Sequence, residues 1–163
     1  MKFLISSISL LVTVFSFSQA NEIAKLLNAQ FKREQSMYKK DDVSKPSMVQ
    51  PYTIKDDSLV VEFKLFNEDE KEEYYERRSV KLSAIKILMK DMNIIFSTKQ
   101  DLVQITSYKL TSKGAKTDVQ KRKAHLFFTE LRKDYGKDVV LQEKLVEAFV
   151  KMGQEILSED WYD

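Results

Sequence analysis

The sequence predicts an α+β fold with an N-terminal helix, an antiparallel meander of four to five strands, and two C-terminal helices packed on the sheet. Apolar residues recur at helical spacing near both ends of the chain and alternate with a period of two in the middle. Between Val80 and Leu110, apolar runs are separated by short polar breaks without Pro or Gly. We interpret that stretch as the inner strands of one antiparallel sheet.

Residues 1–20 have the order of a secretory signal peptide. Lys2 gives a positive start, an uncharged apolar stretch follows, and Ser18 and Ala20 place small residues before a cut between Ala20 and Asn21. The alternative is an uncleaved membrane anchor, but the apolar stretch is shorter than the about 20 residues that span a bilayer. We therefore expect an exported, secreted or periplasmic protein of bacterial type.

The remainder, residues 21–163, has the length of a single α+β domain. Lys2 is the only charged residue before it, so its net charge is +1, one less than the +2 of the whole chain. A balance this close to neutral argues against a nucleic-acid partner, and no later segment is apolar enough to span a membrane. The sequence contains no Cys, which excludes disulfides and thiolate chemistry.

The first helix is predicted over Asn21 to Lys40, where apolar residues recur at helical spacing. A hairpin follows, with arms Tyr52 to Lys55 and Leu59 to Phe66 joined by a turn at Asp56-Asp57-Ser58. The acidic stretch Asn67 to Glu73 is predicted to be a solvated hairpin loop rather than a calcium site, since it lacks the required ligand spacing. The next arm has few aliphatic residues at its start, so this hairpin is expected to project beyond the core.

The segment Ser83 to Met92 leaves two alternatives open. Ser83 could cap a short helix that turns Ile85, Leu88 and Met89 inward, or alternate residues could form a strand. The β-branched residues favour the strand slightly.

Two helices are predicted after Gly114. In the first, Thr117 and Gln120 have the spacing of a capping box, and an apolar stripe runs from Ala124 to Tyr135. The second starts near Asp138 and continues to Ile156, and close approach to another element would explain Gly153 within it.

Residues for catalysis are few. His125 is the only histidine and, with no Cys present, the usual zinc sites are excluded. The three glycines lie far apart, so no phosphate-binding loop is present. We predict no catalytic residue, no metal site and no cofactor, and whether the protein is an enzyme stays open, with a binding protein favoured.

Aromatic residues are the candidate partner-binding residues. Tyr74 and Tyr75 lie among charges on the projecting hairpin, and because neighbouring strand residues face opposite ways, one of the pair is expected to be exposed unless both pack across the hairpin. Trp161 and Tyr162 lie in an acidic tail that either docks on the body or is recognised by a partner.

The leading functional hypothesis is an exported non-enzymatic protein that binds another protein or an envelope or surface component. Alternatives are a small carboxylate-based hydrolase, a carrier of an apolar ligand, and a periplasmic inhibitor or immunity-type protein. A cleft with two acids and no base beside them would favour the hydrolase, and a closed apolar cavity would favour the carrier. The sequence does not determine the oligomeric state.

Overall fold

The computed structural model describes residues 20–40, 42–132 and 139–161. The fold is α+β, with one helix before the strands and one near the C-terminus. Within these residues, nine strands form two sheets, an antiparallel one in the order β1-β2-β3-β6-β7 and a mixed one in the order β8-β5-β4-β9. The strands are β1 (Ser47–Lys55), β2 (Ser58–Asn67), β3 (Glu72–Lys81), β4 (Ile85–Asp91), β5 (Asn93–Thr98), β6 (Val103–Leu110), β7 (Lys116–Ala124), β8 (Leu126–Phe128) and β9 (Leu157–Trp161).

Helix α1 (residues 20–35) confirms the predicted N-terminal helix, although it ends before Lys40. Ile23, Leu27 and Phe31 are buried on one side of it. The Phe31 ring lies 5.7 Å from the Phe63 ring of β2, and the Asn28 side chain both donates to the Tyr52 carbonyl and accepts from the Tyr52 N–H. These contacts fix the helix on the inner face of the first sheet.

The predicted hairpin of β1 and β2 is confirmed, including its turn. Asp56 and Asp57 have φ of 50° and 58°. Positive φ at both central residues is typical of the two-residue type I′ turn, whose twist matches that of the strands. Asp tolerates this conformation better than most residues because its short polar side chain can form hydrogen bonds with the nearby backbone.

The prediction that the stretch from Val80 to Leu110 forms the inner strands of one sheet is wrong, because its strands divide between two sheets. β3 and β6 pair with each other in the first sheet, while the intervening β4 and β5 form a hairpin of the second. The uncertain segment is a strand from Ile85 onward, preceded by a single 3-10 turn at Leu82–Ala84. The meander is therefore interrupted, because the chain leaves the first sheet after β3 and returns to it at β6.

The helix predicted over Thr117 to Tyr135 is wrong. Its first half is β7, an edge strand that pairs with β6, and its second half contains the short β8. The apolar stripe nevertheless identifies core residues, because Phe127 and Leu131 are fully buried. Exposed β7 carries too few apolar residues to produce the period of two that identifies a half-buried strand.

Helix α2 (Val139–Lys151) confirms the last predicted helix in part, since it ends at Lys151 rather than Ile156. Gly153 follows with φ of 77°, and a Cβ added there would meet nothing within 4 Å, so the expected close approach is wrong. Gly153 N–H donates to the Val150 carbonyl and Gln154 N–H to the Phe149 carbonyl, which is the Schellman pattern of a helix end. Asp138 and the end of the first predicted stripe at Tyr135 lie outside the described residues.

One hydrophobic core joins the two sheets and both helices. The Phe96 ring of β5 lies 6.3 Å from that of Phe127 in β8 and 5.9 Å from that of Phe149 in α2. After α2, Gln154 donates to the carbonyls of Leu82 and Ile85 at 2.8 and 2.7 Å. This connection leads the chain into β9, which adds to β4 in parallel.

Candidate functional site

The inner face of the first sheet changes from apolar to polar along β3. Val80 is buried in the core, and Arg78, Glu76 and Tyr74 follow on the same face toward the β2–β3 hairpin tip. On β6, Ile105 and Ser107 lie opposite Arg78 and Glu76. The polar end of this face is the floor of an open cleft.

We call this surface the hairpin cleft. It has a volume of about 360 Å³ and lies between the hairpin tip and the ends of β6 and β7. Carboxylates, amides, a hydroxyl, an ammonium and a tyrosine ring are present, so both hydrogen-bond donors and acceptors are available. Its lining residues are Asn67, Glu70, Glu72, Tyr74, Ser107, Tyr108, Lys109, Asp118 and Gln120.

Local backbone geometry builds two walls of the cleft. At the hairpin tip the Asn67 side chain accepts from the N–H groups of Asp69 and Glu70, at 3.0 and 3.2 Å, and Lys71 has φ of 52°. The hairpin loop predicted over Asn67 to Glu73 is confirmed in part, since the exposed turn is shorter: β2 continues to Asn67 and β3 begins at Glu72. On the opposite wall, Asp118 has φ of 53° at an irregularity in the pairing of β6 with β7. Such an irregularity re-aims side chains at a sheet margin.

Lys109 connects the hairpin to β6. Its ammonium forms a close ion pair with Glu72 and lies 3.8 Å from Glu70. The hydrogen bond to Glu72 raises the pKa of Lys109, so this side chain stays charged at neutral pH. The acids of the cleft therefore have a base beside them, unlike the arrangement that would favour a carboxylate-based hydrolase.

Tyr74 and Tyr75 face opposite sides of the sheet, as strand geometry requires. Tyr74 lines the cleft, and burial, followed by the Glu76 carboxylate, raises its pKa, so its hydroxyl remains a donor at neutral pH. Tyr75 stacks on Tyr108 of β6, with ring centroids 5.3 Å apart and planes at 11°. Both side chains are half-buried. Tyr75 packs on the neighbouring strand β6 rather than within the β2–β3 hairpin, and Tyr74 contributes to the cleft.

Tyr108 holds the outer face of the sheet together beneath the hairpin. Its hydroxyl donates to the buried Glu62 carboxylate of β2, and the Lys116 ammonium lies 3.7 Å from its ring centroid. Burial and the hydrogen bond to Glu62 raise the pKa of Tyr108. These contacts tie β2, β6 and β7 together at the end where the cleft lies.

A buried charge cluster supports the cleft from below. Arg78 donates through Nε to Glu76 at 2.6 Å and pairs through Nη1 with Glu130 at 2.7 Å. Burial alone would lower the pKa of Arg78, but the Glu130 and Glu76 carboxylates outweigh it and raise that pKa. Arg132 pairs with Glu130, and its N–H donates to Glu34 of α1 at 2.7 Å. The cluster therefore joins the first sheet, the segment after β8 and the N-terminal helix.

Sequence reasoning did not identify this cluster. The period of two along Tyr74 to Leu82 does place Glu76 and Arg78 on the core-facing side, but their charge suggested a projecting end instead. In the structure Glu76, Arg78 and Glu130 are 4%, 5% and 2% exposed. Three-dimensional pairing decides their burial, because a charge enters a protein interior only when partners neutralise it, and here one of those partners, Glu130, is distant in sequence.

The remaining sequence candidates lie elsewhere. His125 is 62% exposed in the turn after β7, with Nδ1 3.6 Å from Asp101 Oδ1. The tail pairs with β4 as β9, in which Trp161 aligns with Lys90, and Tyr162 lies outside the described residues. Ala20, the first described residue, is buried in the core, while Asn21 is exposed. Within residues 20–40, 42–132 and 139–161, no group of three or more metal-ligating side chains occurs.

Comparison of this chain with protein-family models, with curated proteins and with solved structures finds no match. Over the part of the chain that the structure describes, none of the helices has the length and apolar character needed to cross a bilayer.

Proposed function

We propose that this chain is an exported, non-enzymatic protein that binds another protein or an envelope or surface component through the hairpin cleft. The observation that supports this is the composition of the cleft itself. Tyr74 offers an aromatic surface beside charged and amide side chains at an open end of the sheet. Half-buried aromatic residues with a polar rim are typical of protein contact surfaces.

The geometry supports a binding function better than it supports a carboxylate-based hydrolase or a carrier of an apolar ligand. The cleft acids lie beside Lys109 and close to solvent, whereas a carboxyl that acts as general acid is held in an environment that keeps it protonated. The cleft is open and predominantly polar, whereas a carrier of an apolar ligand would offer an enclosed apolar cavity. A periplasmic inhibitor or immunity-type protein is a special case of the proposed binding function.

Affinity capture tests the proposal. Tagged protein recovered from the envelope and medium fractions of the source cells is expected to begin at Asn21 by intact mass and to retain a specific partner. Tyr74→Ala is expected to lose that partner, because it removes the aromatic wall of the cleft. Phe128→Ala is the matched control, since Phe128 is a 37% exposed aromatic residue on the other sheet and should leave capture unchanged.

Three outcomes contradict the proposal. A protein recovered only from the cytosol with residues 1–20 retained would exclude export. Failure to retain any partner or ligand would remove the binding function, and equal loss of capture in Tyr74→Ala and Phe128→Ala would remove the cleft as its location. Unchanged unfolding midpoints of both variants would establish that neither effect results from misfolding.

A further inference from the structure

β7 is a free edge of the first sheet. It pairs with β6 on one side, and no described residue forms a backbone hydrogen bond with its other side. From Gln120 to Ala124 the pairing with β6 proceeds residue by residue without a register shift. An edge strand of this kind presents a row of unpaired N–H and C=O groups, which is a template for one further strand.

Three of these five residues are basic, and they lie on both faces of the sheet. Lys121 and Lys123 lie opposite Thr106 and Gln104 on the outer face, and Arg122 lies opposite Ile105 on the inner face. Lys121 and Lys123 line a shallow groove of about 330 Å³ along β6 and β7. Neither has an ion pair with a described residue, and Arg122, although 3.3 Å from Glu76, is 58% exposed.

These charges discriminate between the strands that could be added. A second copy of β7, added antiparallel about Arg122, would place Lys121 opposite Lys123 and the two Arg122 side chains opposite each other. Like charges that face each other across a strand pair are destabilising. An acidic strand would place its carboxylates opposite the same cations, where opposite charges stabilise the pair.

We propose that β7 binds an extended acidic peptide segment of another protein as a sixth strand of the first sheet. The backbone hydrogen bonds of the edge would supply affinity, and carboxylates at alternate positions facing Lys121 and Lys123 would supply selectivity. A segment of about five residues matches the regular part of the edge, which is an ordinary strand length. This surface meets the hairpin cleft only at Gln120 and does not include Tyr74, so the proposal does not depend on the Tyr74 wall of that site.

The test uses a fluorescein-labelled eight-residue peptide that alternates Glu and Thr, with anisotropy measured at low salt. Two further versions of this peptide carry N-methyl groups on alternate residues. One version blocks the N–H groups of the odd-numbered residues, and the other blocks those of the even-numbered residues. Because only one set of N–H groups points toward β7, the version that blocks this set is expected to bind about tenfold more weakly than the unmethylated peptide. The other version is expected to bind nearly as tightly as the unmethylated peptide.

The charge requirement is tested with the double variant Lys121→Glu/Lys123→Glu. It is expected to weaken binding of the acidic peptide at least about tenfold and to bind a Lys-Thr peptide instead, since charge complementarity is reversed. The matched control is Lys25→Glu/Lys32→Glu, which reverses two exposed lysines of α1 and should leave binding unchanged. Lys121→Gln/Lys123→Gln, with a milder loss, serves if the reversal variant does not fold.

Other results overturn the proposal. Equal binding of all three acidic peptides would mean that charge alone attracts them and that no strand is added. Sedimentation with vesicles containing phosphatidylglycerol that depends on Lys121 and Lys123, without binding of the peptide, would assign the surface to anionic membranes. If neither the acidic peptide nor the vesicles bind, the lysines serve only to prevent edge-to-edge association of the sheet.

Discussion

At the scale of single residues, the neighbours Arg77 and Arg78 show how strand direction separates identical chemistry. Arg77 faces outward opposite Thr106, whereas Arg78 faces inward and is 5% exposed. Arg78 also donates through Nη1 to the Phe128 carbonyl at 2.5 Å, and its guanidinium carbon lies 5.6 Å from the Phe63 ring centroid. One arginine is thus a half-buried residue of the outer face, and the other neutralises buried carboxylates.

Arg78→Ala is therefore expected to destabilise the protein by about 3–5 kcal/mol, because it leaves the buried Glu76 and Glu130 with only the more exposed Arg122 and Arg132 as cationic partners. Arg77→Ala is the matched control, with an expected effect below about 1 kcal/mol. Urea unfolding at neutral pH measures both.

A second variant separates the loss of charge balance from the loss of packing. In Glu76→Gln/Arg78→Met/Glu130→Gln the cluster is neutral and similar in volume, so much of the stability lost in Arg78→Ala should return. Equal free energies of unfolding for Arg77→Ala and Arg78→Ala would contradict this account of the cluster.

At the scale of elements, the end of α2 carries a local sequence signal whose physical cause differs from the predicted one. Gly153 suggested close packing, yet space is available around it. Its positive φ is what requires glycine, because the residue closes the Schellman pattern and turns the chain toward β9.

Gly153→Ala is expected to cost about 1 kcal/mol, the strain of a Cβ in the left-handed region, without any steric clash. Gly153→Asn is the matched control and should cost less, because Asn tolerates this conformation. Thermal or urea unfolding measures both variants. A loss well above that range for Gly153→Ala would instead indicate a close contact at this position, and equal losses for Ala and Asn would argue against strain as the cause.

Strand β7 illustrates the opposite case, in which local signals favoured the wrong element. The capping-box spacing of Thr117 and Gln120 and the stripe from Ala124 onward are both compatible with a helix. The edge of β6 instead pairs with this segment, and the ladder hydrogen bonds outweigh a weak helical preference. An edge strand exposed on both faces has no apolar alternation, so no pattern in its own residues identifies it.

At the scale of the whole molecule, tyrosines link the elements through buried hydroxyl groups. Tyr52 is 2% exposed, and its hydroxyl donates to the Thr129 carbonyl, which connects β1 to the segment after β8. Burial raises the pKa of Tyr52 well above its ordinary value and raises that of Tyr38 to about 12. In the unfolded chain both would ionise near the ordinary tyrosine pKa of about 10.

Stability is therefore expected to fall at alkaline pH. Below about pH 9 these tyrosines are protonated in both states and contribute no pH dependence. Between about pH 10 and 12 the unfolded chain releases protons that the native protein retains, so the free energy of unfolding falls by up to about 1.4 kcal/mol per pH unit for each such tyrosine. Urea midpoints measured from pH 8 to 11 test this slope.

Tyr52→Phe provides the control for that slope. It removes one ionisable hydroxyl, so the alkaline slope should be shallower, while stability at neutral pH falls by about 1 kcal/mol with the lost hydrogen bond to Thr129. Absorbance at 295 nm should show Tyr52 ionising only as the protein unfolds. An unchanged slope in Tyr52→Phe, or early ionisation without unfolding, would contradict the assigned burial.

Local sequence patterns are sufficient to predict the α+β class, the first helix, the β1–β2 hairpin with its Asp56-Asp57 turn, and the exposed acidic hairpin tip. These features depend on periodicity and turn chemistry among residues that are close along the chain. Three features become visible only in the folded protein: the strands divide between two sheets, β7 is an edge strand, and Glu76 and Arg78 are buried. The sheet division and the burial of Arg78 depend on partners far apart in sequence, such as β6 for β3 and Glu130 for Arg78, and no local pattern encodes such pairs. β7 pairs with its neighbour β6, but it is exposed on both faces and so lacks the apolar alternation that identifies a strand.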